Sequence, residues 1–189
     1  MEADWEVELT PEAPIIDASW TGLVDLRREP HRVHELPEVE ALPALAHALL
    51  RLNAASSPVW TAKCDVWPLP EFDPDEMDAA DEHPQHALAC YVDLLPGSAS
   101  WDTPPVAVAW CRALCHRLHA APLHSCRADL IVRHACPAPG ISGIGITAYL
   151  SACGQTPADA ALALGAALAA FADAVSPATP PADAASRLQ

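Results

Sequence analysis

Cysteine and histidine side chains with the spacing of a helical metal site occur in one segment of the sequence. Cys111, Cys115 and His119 lie four residues apart, so on a helix they would share one face and could hold zinc. An internal repeat, described below, aligns Cys111 with Leu164 and Cys115 with Leu168, which are apolar positions of a second helix. We therefore interpret the two thiols as small buried hydrophobic side chains and predict neither a metal nor a cofactor.

Three further groups of polar residues could do chemistry, and each has a simpler interpretation. His31 and His34 stand in a proline-bounded segment and are interpreted as solvated. Residues 71–82 are rich in carboxylates but lack the glycine and the alternating ligands of a calcium loop, so we predict a charged loop. Residues 140–145 contain three glycines, but they join two predicted strands and not a strand and a helix, which argues against a phosphate loop and predicts a wide hairpin connection. No pair of a nucleophile and a base can be assigned, so the sequence leaves open whether the protein is an enzyme.

Seven elements of secondary structure must position any site. Alternating apolar residues and β-formers predict four strands: 59–67, 87–95, 126–134 and 144–152. Apolar residues three and four apart predict three helices: 38–52, 103–121 and 157–175. Residues 15–26 are ambiguous and could add a strand.

The order strand, strand, helix occurs twice, over residues 58–121 and 125–175. Ala62–Trp67 aligns with Cys126–Ile131, and Tyr91 aligns with Tyr149. This correspondence predicts a duplicated ββα unit, although short matches also arise by chance in an alanine-rich chain. The predicted fold is α+β, with an antiparallel sheet of four or more strands and the helices on one face.

Alternation along the predicted strands separates an apolar side from a mixed side. On the first strand the apolar side comprises Trp60, Ala62, Cys64 and Val66, and we expect this side to pack under the helices. The other side, which we call the outer face, carries charges and aromatic rings. Its candidate ligand-binding or interface residues are Lys63, Asp65, Trp67, Tyr91, Asp93, Arg127, Asp129, Arg133 and Tyr149.

Composition limits the partners and the compartment. The 189 residues include 10 Lys and Arg against 25 Asp and Glu, a formal net charge of −15, so we expect neither nucleic acid nor an anionic membrane as a partner. The first residues lack the basic and apolar regions of a secretory signal, and Ala158–Val175 is too short and too weakly apolar to span a bilayer. Seven cysteines without disulfide spacing favour reduced thiols and a cytoplasmic location.

The chain is predicted to form one α+β domain over residues 14–175, between an acidic flexible N-terminus over residues 1–13 and a disordered Pro/Ala-rich tail over residues 176–189. The outer face could be a solvated sheet surface, could be covered by residues 15–26 or by a second subunit, or could hold a small molecule. We expect a non-catalytic binding or accessory protein that forms a homodimer through this face. The alternative is an enzyme or effector-binding protein with a pocket there for a metabolite or a planar heterocycle, an analogy with other antiparallel ββ folds only.

Overall fold

Four long strands and two short ones form a mixed sheet in an α+β fold. The computed structural model describes residues 1–79, 83–97 and 101–176. The strands are β1 (Glu2–Glu8), β2 (Ile16–Asp17), β3 (Val59–Pro68), β4 (His86–Pro96), β5 (Cys126–Ala138) and β6 (Ile141–Gly154). Their order is β1-β5-β6-β4-β3, and β2 also pairs with β5. The four predicted strands are therefore confirmed as β3 to β6, which are longer than predicted by one, two, four and five residues respectively.

The helices follow the predicted positions with one correction. They are α1 (Pro37–Ala41), α2 (Ala44–Leu52), α3 (Pro104–His119) and α4 (Pro157–Val175), and 3-10 turns cover Pro30–Glu35 and Asp75–Met77. The prediction of one helix over residues 38–52 is wrong, because α1 ends before Pro43, which has no amide hydrogen and disfavours helical backbone in the residue before it. The α4 helix begins with a capping box in which Thr156 and Asp159 exchange hydrogen bonds.

The sheet is not purely antiparallel, and the predicted looseness of residues 1–13 is wrong for most of that segment. Strand β1 pairs in parallel with β5, with Glu2 opposite Arg127 and Glu8 opposite Arg133. Trp5 packs against the main core, whereas the acidic residues of the strand alternate with it. The density of carboxylates hid this period-two alternation in the sequence.

One large apolar core joins the long strands to the helices. Leu114 of α3 and Phe171 of α4 belong to the same buried cluster as Cys90, Leu130 and Leu150 of the strands. Cys111 and Cys115 are also in that cluster, which confirms their interpretation as buried hydrophobic side chains. The prediction that residues 158–175 are too short and too weakly apolar to span a bilayer is wrong, because α4 is long and apolar enough to cross a membrane by length and composition alone. Eight of its residues, Phe171 among them, are nevertheless buried inside the protein.

A β-bulge changes which residues of β3 face the main core. The pairing of β3 with β4 shifts between Thr61 and Cys64, so the alternation inverts there. Cys64 packs against the main core as predicted, but Trp60 and Ala62 do not, and for them the prediction is wrong. They belong to a second cluster on the outer face: Ile16, Ala18, Trp60, Ala62, Leu95 and Ala135.

The segment that follows β1 crosses one end of the outer face. Ile16 pairs with Ala135 of β5, and the Arg27 guanidinium lies 3.7 Å from the ring centroid of Trp60 in β3. A Cβ atom on Gly145 of β6 would stand 2.8 Å from the Ile16 Cδ1 atom and 3.0 Å from the Leu94 carbonyl oxygen, so the crossing leaves little room for a side chain at this position. Residues 15–26 thus supply a two-residue strand and cover part of the outer face.

The turns near the ends of the sheet differ from the prediction in detail. β5 and β6 are joined by a tight turn at Pro139–Gly140, where Gly140 has φ of 74°, and not by a wide connection. In the acidic loop, Met77 is buried against Ala87 and Cys153. Residues 80–82 of that loop and residues 177–189 of the predicted tail lie outside the described residues.

Truncation of Phe171 to alanine tests the core. Phe171 is fully buried, so we expect Phe171→Ala to lower the free energy of unfolding by about 3–5 kcal/mol. The matched control on the same helix is Leu162→Ala, whose side chain is 74% exposed and whose loss we expect to cost less than about 0.5 kcal/mol. Urea denaturation of the three proteins measures both values, and equal losses would contradict the described packing of α4.

Candidate functional site

The register of the central strands gathers the predicted residues into rows. Tyr91 of β4 stands directly opposite Tyr149 of β6. On one side Asp65 of β3 is opposite Tyr91, and on the other side Asp129 of β5 is opposite Tyr149. Asp4 of β1 continues the row next to Asp129. The outer face therefore has a tyrosine pair at its centre with a carboxylate on each flank.

Three aromatic rings form a half-buried cluster near β3. The ring centroids of Tyr91 and Tyr149 are 5.9 Å apart, and that of Trp67 lies 6.1 Å from Tyr91 and 6.4 Å from Tyr149. The rings are tilted or edge-on to one another, which is the favoured geometry for aromatic pairs. This cluster, which we call the aromatic trio, is the largest apolar feature among these nine outer-face residues.

A buried polar network lies beside the aromatic trio. Arg133 donates to Glu8 at 2.7 Å and to the hydroxyl groups of Thr147 and Tyr149, each at 3.3 Å. The Thr147 hydroxyl in turn donates to the Asp93 carboxylate at 2.6 Å. Arg133, Thr147 and Asp93 are all buried. The members of this network bind one another, so it fixes β1 against β5 and β6. Their hydrogen-bonding groups are therefore satisfied within the protein.

Burial also changes the acid–base behaviour of two outer-face groups. Loss of solvent raises the pKa of Asp93 above its ordinary value of 3.8, despite the opposing hydrogen bond from Thr147 and the charge of Arg133. Burial, followed by the nearby carboxylates Asp93 and Asp65, raises the pKa of Tyr91 to about 12. Tyr91 is therefore a neutral phenol at physiological pH.

Arg127 and Asp129 form a closed ion pair on β5. The guanidinium donates to both carboxylate oxygens, with the shortest distance 2.7 Å. A hollow of about 260 Å³ lies there, lined also by Asp4 and Glu6 of β1 and by Glu76. The positive charge of Arg127 is thus neutralised within the protein, in surroundings that are otherwise acidic.

Lys63 occupies the corresponding place on β3 but is not paired. It lines a cleft of about 410 Å³ along the β3 edge, between that strand and the stretch from Trp20 to Glu38. The Lys63 ammonium lies 5.7 Å from the Trp20 ring centroid, and within the described residues its side chain makes no hydrogen bond or salt bridge. We call this space the Lys63 cleft. Lys63 is also the single lysine of the sequence.

The Lys63 cleft combines an apolar floor with a few polar groups. Leu26 and Leu49 contribute apolar surface, and Glu38, Asp65 and Tyr91 contribute polar atoms. A volume of this size falls within the range of roughly 300–1,000 Å³ that is typical of small-molecule sites.

The cysteine in the cleft is a poor nucleophile. Burial, with a smaller contribution from the Glu38 charge, raises the pKa of the Cys64 thiol to about 12. The thiolate is the reactive form of cysteine, so this thiol is unreactive at neutral pH.

The nine predicted residues do not form one site. Lys63, Asp65 and Tyr91 meet in the Lys63 cleft, Trp67 and Tyr149 complete the aromatic trio with Tyr91, and the others form the internal network or the Arg127 pair. Sequence reasoning missed Trp20, Glu38 and the two leucines of the cleft floor, because they reach β3 through long-range contacts. The uniqueness of Lys63 in the sequence was a signal that could have drawn attention to this edge.

The comparisons with known proteins add no assignment. Among the residues that the structure describes, no group of three or more metal-ligating side chains stands together. No family model, no curated protein and no solved structure matches this chain.

Replacement of Asp93 by asparagine tests the effect of its burial. A carboxyl group with a raised pKa binds its proton more tightly in the folded state, so its contribution to stability is lost as pH rises from the unfolded pKa through the folded one. Asparagine carries no charge, and its amide oxygen can still accept the hydrogen bond from Thr147. We therefore expect Asp93→Asn to gain stability relative to the natural protein as pH rises above roughly 4. Urea denaturation between acid and neutral pH measures this, and a difference that is constant with pH would contradict it.

Proposed function

We propose that this protein is a non-catalytic binding protein that holds a small organic molecule in the Lys63 cleft, at the edge of its outer face. The observation that carries the proposal is the unpaired Lys63 ammonium over Trp20, at the mouth of a cleft with an apolar floor. A charged group that gains no internal partner, beside buried apolar surface, is suited to a ligand that has both a polar group and an apolar body.

A binding role accounts for the chemistry of the cleft better than a catalytic role. Cys64 and Tyr91 both have raised pKa values, so neither supplies an anionic nucleophile near neutral pH. No hydrogen bond links Lys63, Glu38 and Tyr91 to one another within the described part of the chain, so the nucleophile–base contact of a covalent mechanism has no support there.

We further propose that the fold arose by duplication of a ββα unit whose helices cover one face of the sheet. An approximate two-fold axis between β4 and β6 would exchange Tyr91 with Tyr149 and Asp65 with Asp129, which are the equivalences found in the sequence. Both α3 and α4 begin at the proline of a Thr-Pro step, and both contribute to the main core.

A second candidate function is an accessory role in which a second copy of the chain covers the outer face. The half-buried aromatic trio favours it, since exposed rings are typical of interfaces. The charges on this face oppose it, because the carboxylates of β1 and of the Asp65 and Asp129 row outnumber the three cations Lys63, Arg127 and Arg133. We therefore rank the homodimer below the small-molecule role.

The charge and the cysteines support a proposed cytoplasmic location. The seven cysteines are all thiols, which suits a reducing compartment. The net charge of −15 favours partners other than nucleic acid and anionic membranes.

A thermal-shift screen with Lys63→Met tests the small-molecule role. We expect at least one compound of a metabolite panel to stabilise the natural protein by about 2.7 kcal/mol at 100 times its Kd, and this gain to disappear in Lys63→Met. Arg28→Met is the matched control, because it removes a positive charge from a side chain that is 84% exposed and outside the cleft. A panel without any stabilising compound, or a gain that survives in Lys63→Met, would overturn the proposal.

Sedimentation equilibrium at two salt concentrations tests the homodimer. Raising the ionic strength from 0.1 to 1 M shortens the Debye length from about 10 Å to about 3 Å, so a dimer formed through the acidic outer face should become tighter with salt. Trp67→Ala should weaken it at both concentrations, whereas Val106→Ala, an exposed change on α3, should not. A monomer under both conditions excludes this candidate.

A further inference from the structure

Two side chains of opposite charge line the Lys63 cleft without neutralising each other. Glu38, in the first turn of α1, and Lys63 of β3 both contribute to its wall. The charged atoms of Glu38 and Lys63 lie more than 4.0 Å apart, which is too far for a salt bridge. Neither side chain has a hydrogen bond or salt bridge to another described residue. Elsewhere on the sheet, Arg127 and Arg133 are each paired with a carboxylate. The cleft therefore presents a separated positive and negative group to whatever enters it.

Apolar side chains separate this charged mouth from the interior. Leu26 and Leu49 are both buried in the main core and also line the cleft, together with the partly exposed Trp20 ring. An occupant can bury an apolar group against these residues while its charged groups stay near Glu38 and Lys63.

We infer that the Lys63 cleft binds a small zwitterion with an apolar body, that is, a free α-amino acid with an aliphatic or aromatic side chain. The inference rests on the proposed small-molecule function and specifies its ligand class. The carboxylate of the ligand accepts hydrogen bonds from the Lys63 ammonium, and its ammonium group donates to the Glu38 carboxylate. Its side chain packs on Leu26 and Leu49.

The alternative ligand classes each leave one charge of the cleft without a partner. A simple carboxylic acid satisfies Lys63 but brings a third negative charge beside Glu38 and Asp65. A simple amine satisfies Glu38 but repels the Lys63 ammonium. A ligand that covers the cleft removes water from Lys63 and Glu38. Because a polar group that loses water without gaining a partner costs more than a satisfied one contributes, the zwitterion has the advantage over both.

Isothermal titration with matched compounds tests the ligand class. The compounds are L-phenylalanine with 3-phenylpropionate and 2-phenylethylamine, and L-leucine with 4-methylpentanoate and isoamylamine. We expect at least one amino acid to bind ten- to a hundredfold more tightly than its own acid and its own amine, about the effect of one charge-assisted hydrogen bond. Lys63→Met should weaken binding of that amino acid by a similar factor, and so should Glu38→Gln. Glu40→Gln, two residues further along α1 and exposed, is the matched control and should bind normally.

Acetylation of the single lysine gives a second readout that does not depend on the heat of binding. The bound amino acid should slow acetylation of Lys63 several-fold, as measured by mass spectrometry, but should not slow that of the Met1 amino group, which bonds to Leu123 away from the cleft. If the acid or the amine binds as tightly as its amino acid and protects Lys63, the ligand class is wrong while the small-molecule function stands. If none of the six compounds binds or protects Lys63, the zwitterion inference is overturned, and the wider metabolite panel decides the proposed function separately.

Discussion

The pairing of β4 with β6 is the constraint on which the rest of the structure depends. With Tyr91 opposite Tyr149, the neighbouring residues Cys90 and Leu150 point to the other side of the sheet and into the core beside Phe171. A slip of one residue would exchange the two sides, placing phenol groups in the main core and aliphatic groups on the outer face. This single register therefore fixes both the composition of the core and the positions of the polar groups on the outer face.

The two strands that flank this central pair, β5 and β3, each place a carboxylate beside a tyrosine. They differ in whether the neighbouring cation is paired. On β5 the guanidinium of Arg127 turns to Asp129 and is neutralised, and β1 lies alongside as a further strand. On β3 the bulge displaces Lys63, which lies near Trp20 and is not bonded to Asp65. In the part of the chain that the structure describes, no strand pairs with the outer side of β3, so the space at that edge is open to the stretch from Trp20 to Glu38. The bulge in β3 thus accounts for the difference between Arg127, which belongs to a structural ion pair, and Lys63, which is a candidate binding group.

Local patterns in the sequence predicted most of the elements, and the errors have physical causes. Alternation located β3 to β6 because each has one apolar side, and Thr-Pro steps located the starts of α3 and α4. The break at Pro43 was overlooked although its cause is visible in the sequence. The bulge and the parallel pairing of β1 could not be predicted, since both depend on strand partners that are distant in the chain.

The candidate site was predictable only in part for the same reason. Lys63, Asp65 and Tyr91 were identified because they alternate with buried residues on their strands. Trp20 and Glu38 come from irregular or short segments whose position is set by the crossing of Ile16 over Gly145 and by the contact of Arg27 with Trp60. Those contacts have no periodic signature, so the cleft built from them is visible only in three dimensions.

The two outermost strands also affect how copies of this protein behave at high concentration. β1 exposes alternating carboxylates, and β3 carries a bulge, a lysine, an aspartate and a terminal proline. Each of these features disfavours the addition of a strand from another molecule, because charges repel and a kinked or proline-ended edge cannot continue a regular ladder. The long apolar strands β5 and β6 lie between these two edge strands. The sheet is therefore a poor template for fibre formation, despite its hydrophobic interior.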